Sequence, residues 1–543
     1  VTAQRFATSA LAALIALVSA PAAVAATFTV TTDADSGAGS LRQAIEAANA
    51  IQVENGTACI THTIQFAIPG NAPHTIRPLS PLPVVRIPII MDAFTQPGAS
   101  ANTLVLGSNM VPGIELDGSM AGATDAIVIG GLVPGAGTGC GGAGTRISGF
   151  AINRFAGSAI SAGADGCLPG QGCSTGGLII RGNFIGTDVT GTIALGNGAG
   201  LSRPAIRFGS LSSVNIVGDQ IVSDGGPNTP SPAARNVISG NAGDAISISA
   251  VTANIAAAGN RIRNNYIGVD ATGTVMMPNG GRGIVSGPHS TNAVFADNVI
   301  AGNVGDGVFV TDNAFGPVMS FNAIGVGIGN RAFGNGGHGV YLREAPAVGV
   351  SGRAYFVVQG DPSIANNAGA GVFIDTNVTA DVAGPGFANN AGLGIDIAPL
   401  GVNPNDALDA DSGPNELLNT PTITSARYDP MTLLTAVEGN VHSVPMSEVE
   451  VYFFGSSSCD PSGSGEGQRP LTNPTLFARV RLDAAGNGAF SVNVSGVTPG
   501  QSLTTIARRF NNVPFTPAIQ VSEFSPCASV VLTSPFIFGD SFE

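Results

Sequence analysis

Between residues 63 and 399 the apolar residues follow no helical period. They recur as aliphatic–variable–aliphatic triplets, each preceded by Asn and Gly. The unit N-x-G-x-[GA]-[VI]-x-x occurs six times: NAGDAISI from Asn241, NGGRGIVS from Asn279, NVGDGVFV from Asn303, NGGHGVYL from Asn335, NAGAGVFI from Asn367 and NAGLGIDI from Asn390. The intervals are 38, 24, 32, 32 and 23 residues. Three strands of about five residues with turns of two or three occupy roughly 22–24 residues. The shortest intervals therefore fit one coil of three short strands, and the longer ones carry a loop at one corner. In Val308-Phe309-Val310 two aliphatics then face inward and one residue outward. Asn and Gly suit corners that need left-handed backbone, and Asn residues at equivalent corners are expected to bond up the stack as a ladder. Coils stacked about 4.8 Å apart satisfy one another's backbone and bury one continuous core. The pattern predicts an all-β chain built on a parallel β-solenoid.

A second repeat places the long loops. GNFIGTDVTGTIALGNG from Gly182, NNYIGVDATGTVMMPNG from Asn264 and a degenerate FNAIGVGIGNRAFGNG from Phe321 share N-x-I-G ahead of the next corner Asn. The pairs are Asn183 and Asn197, Asn265 and Asn279, and Asn322 and Asn335. These loops leave the same corner and should form a ridge down one side, with Asp188 and Asp270 at matching places.

The ends differ. Residues 41–50 read as a short amphipathic helix capping the first coil. Residues 401–419 are rich in turn formers and acids and read as a linker. Beyond them strand-like runs recur at 422–427, 448–454, 477–482, 490–494, 503–508 and 529–532, with a hairpin turn at 483–488. About seven short strands over ~115 residues predict a small immunoglobulin-like β-sandwich. The expected division is a signal at 1–25, an N-terminal strand and cap at 26–62, the solenoid at 63–400, the linker at 401–419, the sandwich at 420–534 and a tail at 535–543.

Composition sharpens this picture. Of 543 residues 44% are hydrophobic and only 11% charged, against about 25% charged in an ordinary soluble domain. That apolar content is enough for a core and excludes wholesale disorder. The formal charge is −14, and all 22 basic residues are arginine; such a surface repels phosphate backbones and argues against a nucleic-acid partner. Arg5, the apolar run 10–18 and Ala23-Val24-Ala25 have the layout of a Sec-type secretory signal. No stretch reaches the ~18–20 apolar residues of a membrane span, so the expected location is secreted or on the outer cell surface. Export permits disulfides. Cys459 and Cys527 stand alone in the last hundred residues and are expected to pair, Cys167 and Cys173 are spaced to close a local loop, and Cys59 and Cys140 remain.

These repeats resemble those of secreted bacterial right-handed parallel β-helix proteins, the broad pectin-lyase-like superfamily. The segment TFTVTTDADSGAGSLRQAIEAAN at 27–49 resembles the N-terminus of CSLREA-type proteins, with Gly39-Ser40-Leu41-Arg42-Gln43-Ala44-Ile45 in place of Cys-Ser-Leu-Arg-Glu-Ala-Ile, so that the family's cysteine is missing. The segment 93–118, with TQPGAS and ELDGS, and CDPSGSGEGQ at 459–468 are also similar to parts of such proteins. The resemblance implies a right-handed β-helix followed by a small β-sandwich.

The enzymes of that superfamily supply a test for catalysis. Gly337-His338-Gly339 matches a polygalacturonase-like triplet, but His338 occupies the variable place of the repeat and no paired acids accompany it. Arg203-Pro204-Ala205-Ile206-Arg207 only approximates the R-x-P-x-x-R of pectate lyases. Asp188 and Asp270 read as calcium ligands or as caps of their own turns, with capping favoured. Asp406, Asp409 and Asp411 offer closely spaced oxygens for calcium, or are a solvated linker. The outward place of successive coils holds Ser247, Val285, Phe309, Tyr341, Phe373 and Asp396. The three aromatics predict either a platform for sugar rings or a face covered by a loop or the C-terminal domain, with coverage favoured; the absence of Trp weakens the sugar reading. A non-catalytic binding, adhesion or structural scaffold is the leading expectation, with extracellular polysaccharide or a cell surface as partner; a polysaccharide lyase or glycoside hydrolase is the alternative. Oligomeric state has no signature in the sequence.

Overall fold

The computed structural model describes residues 24–51, 60–130, 141–163, 175–220, 229–311, 314, 316–343, 354–359, 363–376, 378–471, 477–511 and 518–533. The expected secretory signal, Cys59, Cys140, Cys167, Cys173 and the tail at 535–543 lie wholly or largely outside these residues. The chain is a right-handed parallel β-helix followed by a β-sandwich. Three parallel sheets run along the helix. The first has eleven strands, from Thr27–Val30 to Val378–Ala383. The second has ten, from His74–Ile76 to Phe387–Ala388, and the third nine, from Ile127–Ile129 to Ile395–Ile397. Eleven rungs at about 4.8 Å make a rod of about 48 Å.

Most strands are two to four residues long, too short to stand alone, and each is held by the rung above and the rung below. Register keeps like on like: Ile246, Ile284, Val308, Val340, Val372 and Ile395 stack in one fully buried file. Two asparagine ladders lock the corners. Between the first and second sheets the side-chain amides of Asn183, Asn236, Asn265 and Asn298 each donate to the Oδ1 of the next, ending at Asn322. Ahead of the third sheet the file runs Asn197, Asn241, Asn279, Asn303, Asn335, Asn367 and Asn390.

One expectation about the corners needs correction. The ladder asparagines do not carry the left-handed backbone; the residue before does so at Gly182, Asn264, Asp297, Phe321, Gly240, Gly302, Asn366 and Asn389. A ladder Asn must aim both its backbone N–H and its amide along the stack, so its predecessor makes the turn. The Gly of N-x-I-G has both reasons to be glycine. Gly186 and Gly268 sit at φ +90° and +86°, and a Cβ there would fall 2.3 Å from Asn241 Oδ1 or 2.1 Å from the Ala301 carbonyl oxygen.

The helix Leu41–Ala50 buries Leu41, Ala44, Ile45 and Ala48 in the solenoid core. Ser40 Oγ accepts the Gln43 N–H while Gln43 Oε1 accepts the Gly39 N–H, a reciprocal cap that starts the helix.

In the sandwich one sheet is ordered Asn487–Val494, Leu434–His442, Thr422–Asp429 and Val531–Leu532. The other is built on Glu448–Ser456 and Ser502–Asn511. A disulfide joins Cys459 and Cys527, as expected. The sequence reading passed over Leu434–His442. Its inward positions include Thr435 and Gly439, the latter small because the Phe490 ring packs against it.

The sandwich closes the end of the solenoid. Glu466 accepts the backbone N–H groups of Asn389 and Asn390 and the Asn390 amide. Glu523 accepts the N–H of Ile397 and both nitrogens of Asn403. Arg508 forms a bidentate pair with Asp381 of the last first-sheet strand. Asn415 bridges the backbone of Ala380 and Val521, and Phe524 packs edge-on against Phe387.

Two predictions follow from this architecture. Asn303→Ala leaves one N–H of the Asn279 amide unpaired, the other still meeting the Ile238 carbonyl, and removes one of two donors to Asn335 Oδ1; at about 1–3 kcal/mol per buried unsatisfied group, it is expected to lower stability to urea by about 1–3 kcal/mol. At the joint, burial pushes the Asp396 carboxyl up to about 6 and Glu523 up to about 7. The folded protein thus holds protons that the unfolded chain has already released. The associated stability is present below the ordinary carboxyl values and is lost as pH rises through 6 to 7. Asp396→Asn is expected to flatten the fall in melting temperature between pH 5 and 8 and to raise it at pH 8 by about 1–2 °C, measured by scanning calorimetry.

Candidate functional site

The outer face of the third sheet carries the densest grouping of aromatic and ionisable side chains singled out by the repeat. Its middle file, set by strand register, runs Arg207, Ser247, Val285, Phe309, Tyr341, Phe373 and Asp396. Successive rings touch: Phe309 to Tyr341 is 5.0 Å and Tyr341 to Phe373 is 5.3 Å between centroids. The variable residue of each repeat lies beside this file. The Arg282 guanidinium sits 4.0 Å over the Phe309 ring, and the His338 imidazole stacks on Phe373 at 4.9 Å and 18°. Phe309 and Phe373 are only 8% and 7% exposed, while Tyr341 and His338 keep more of their surface in solvent. Among the described residues, the neighbouring file of corner residues covers part of this face. Arg282 is not singled out by the repeat, because it reaches Phe309 from the neighbouring file.

Electrostatically the group is settled. Arg282 pairs with Asp306 at 3.1 Å, and the other Asp306 oxygen accepts the His338 backbone N–H. His338 Nδ1 accepts the Ala370 N–H, which leaves Nε2 to carry the proton of the neutral ring. Burial pushes His338 below its ordinary value although Asp306 and Asp375 pull it upward. Tyr341 donates its hydroxyl to Asp375, and its own ionisation is pushed up to about 12 by burial and then by Asp375. A neutral imidazole with one nitrogen committed to backbone, beside carboxylates already engaged, suits contact better than proton transfer.

The other candidates fall into three groups. Asp188 accepts the Thr192 and Ile193 N–H groups and the Thr190 hydroxyl; Asp270 does the same with Thr274, Val275 and Thr272. Both carboxylates are spent within their own turns. Their loops stack as a ridge, the Ala271 N–H on the Gly191 carbonyl and the Ile328 N–H on the Gly273 carbonyl. The ridge roofs an apolar cluster of Phe184, Val237, Tyr266 and Val299 on the second sheet.

Asp406, Asp409 and Asp411 converge, with one oxygen of each within 4.8 Å of the others. Asp409 is buried against the Arg509 guanidinium, the Ser443 hydroxyl and the Asn419 N–H. Asp406 Oδ2 takes the Ala410 N–H, whereas Asp406 Oδ1 is buried without a partner. Burial, then the charges of Asp406 and Asp409, pushes Asp411 upward.

Arg203 of the lyase-like stretch lies 3.5 Å from Asp125, an ion pair at the surface. Also absent from the sequence reading were Asn236 and Asn298 of the first ladder. The signal was present, as N-V-I-x-G-N at both positions, a loop-free form of the second repeat.

No helix among the described residues is long and apolar enough to cross a membrane. No known protein family and no curated protein matches the chain. Among solved structures it aligns with a Geobacillus virus E2 protein, ORF18, at 12% identity over 90% of this chain and 79% of that one, with a TM-score of 0.34. It also aligns with full-length tailspike protein 2 of Escherichia coli O157:H7 bacteriophage CAB120, at 10% identity over 86% of this chain and 63% of the tailspike, with a TM-score of 0.23.

Proposed function

We propose that the protein is a secreted or cell-surface scaffold of the pectin-lyase-like type with an immunoglobulin-like C-terminal domain. It binds extracellular polysaccharide along the third sheet and does not cleave it. The observation that carries this reading is the file of Phe309, Tyr341 and Phe373 flanked by Arg282 and His338, an aromatic surface whose nearby carboxylates are already engaged. Tyr341 and His338 offer the accessible ring surface, Phe309 and Phe373 form the bed beneath, and Asp188 and Asp270 hold the turns of the ridge over the second sheet. Sugar rings rest on such surfaces through their apolar C–H faces. A panel of neutral and acidic polysaccharides is expected to show binding without new reducing or unsaturated ends. Tyr341→Ala with Phe373→Ala is expected to weaken binding about tenfold, as read by glycan array and calorimetry. Release of such ends by folded protein would replace this reading with that of a lyase or hydrolase.

The acidic corner of the linker is read as a calcium site formed by Asp406 and Asp411, with Asp409 fixing its floor through Arg509. The unpartnered Asp406 Oδ1 beside two further carboxylates supports it. Calcium is expected to raise the melting temperature of the parent protein and not that of an Asp406→Asn, Asp411→Asn variant. Asp409 is left intact because its loss would also break the Arg509 anchor. An unchanged melting temperature in the parent overturns this site.

A further inference from the structure

One loop of the solenoid holds apolar side chains out into water. Residues 96–113 leave the first sheet after the short helical turn Ala93–Thr95 and enter the second at Ile114–Asp117. On the way they cross the outer face of the second sheet, where Met110 joins Phe184, Val237 and Tyr266 in one apolar cluster. At the tip Leu104, Val105 and Leu106 are 44%, 75% and 62% exposed. The backbone beneath them is clamped. The buried Arg235 donates to the carbonyl oxygens of Leu104, Val105 and Gly107 and to Asn264 Oδ1, and its guanidinium lies 4.6 Å over the Tyr266 ring. The Asn102 amide donates to the carbonyls of Leu104, Gly107 and Pro232. The Tyr266 hydroxyl accepts the Gly107 N–H, and the Ala271 carbonyl accepts the Ser108 N–H. With these backbone groups turned inward, the three side chains of the tip are left pointing out.

The chemistry of the tip narrows the partner. Residues 93–113 include no ionisable side chain, in a chain of net charge −14. The tip itself offers only aliphatic surface. Protein partners are anchored mainly by Trp, Tyr and Arg, and Leu and Val are under-represented among such anchors. Hydrocarbon asks for something else: apolar side chains that gain by leaving water, and carbonyls already bonded, because it offers them no donor. The base of the tip is polar. Thr103 and Asn109, both exposed, bond to each other, the Thr103 N–H to Asn109 Oδ1 and Asn109 Nδ2 to Thr103 Oγ1. An aliphatic tip above a polar collar matches the change from acyl chains to headgroups over the outer 5–10 Å or so of a lipid layer, at about the depth reached by interfacial anchors. The uncharged loop suits a zwitterionic surface, whereas the acidic body is repelled by a strongly anionic one within a Debye length of about 8 Å.

We propose that Leu104, Val105 and Leu106 form an anchor by which the protein rests on a zwitterionic phospholipid surface, separate from the aromatic face of the third sheet. The test uses the full chain with phosphatidylcholine vesicles and with vesicles to which phosphatidylglycerol is added. The protein is expected to float with the phosphatidylcholine vesicles, and added phosphatidylglycerol is expected to weaken this binding at low salt. The chain has no Trp, so a single Val105→Trp reporter reads the tip alone. Its emission is expected to shift to the blue on binding and to be quenched by brominated acyl chains. Met431→Trp, at an 89% exposed position of the sandwich, keeps its aqueous emission. Leu104→Ser, Val105→Ser, Leu106→Ser together are expected to reduce flotation at least about tenfold with an unchanged melting temperature, because exposed side chains carry little of the stability. Tyr341→Ala floats as the parent does. Absence of flotation, undiminished flotation of the triple Ser variant, equal quenching at the two Trp sites, or a requirement for phosphatidylglycerol overturns the proposal. Self-association of the parent without lipid, lost in the triple Ser variant, assigns the tip to a second copy of the chain and overturns it equally.

Discussion

Every strand of the solenoid depends on hydrogen bonds to the coils above and below it, because runs of two to four residues cannot satisfy their backbone in any other way. From that dependence comes the rest of the helix. Register must be kept from rung to rung, so inward files are uniform in size, as in the Ile246–Ile284–Val308 stack. Corners must repeat in place, so asparagines at equivalent corners come into contact and bond as ladders. Whatever varies is confined to outward files and corner loops, where Phe309, Arg282 and the Asp188 turn are found.

The same dependence makes both ends of the helix expensive. At the first coil the answer is apolar: one helix buries Leu41, Ile45 and Ala48 over the open core. At the last coil the answer is polar and comes from a separate domain, whose Glu466, Glu523 and Arg508 meet backbone donors and Asp381 of the final rungs. The aromatic face and the linker carboxylates both adjoin this end. The joint therefore holds the third-sheet surface and the sandwich in a fixed relation.

Most of the helix was legible in the sequence, because a solenoid writes its period directly into the chain. The Asn–Gly corners mark the coil, the N-x-I-G segments mark the ridge, and the register within each repeat places Phe309, Tyr341 and Phe373 in one file. What escaped was governed by contacts between columns of the repeat or between distant segments. Arg282 lies over Phe309 because two files are neighbours, which a single column does not express. Leu434–His442 hides its alternation behind Gly439, whose size is set by Phe490 some fifty residues later. The convergence of Asp409 on Arg509 joins residues a hundred positions apart, and no local spacing announces it.

The longer asparagine ladder has a sense. From Asn197 to Asn390 every side-chain amide donates one N–H forward, toward the C-terminal end, and the backbone N–H groups of Asn197, Asn241, Asn303, Asn335 and Asn367 do the same. Such a row of aligned dipoles leaves its positive pole at the last rung, as a helix does at its N-terminus. An asparagine there would pass the pattern on to another coil; a carboxylate, which only accepts, ends it. Glu466 is that terminator. The solenoid is in this respect a polar rod, with an exit that selects for an anion, and any domain that replaced the sandwich would have to bring one.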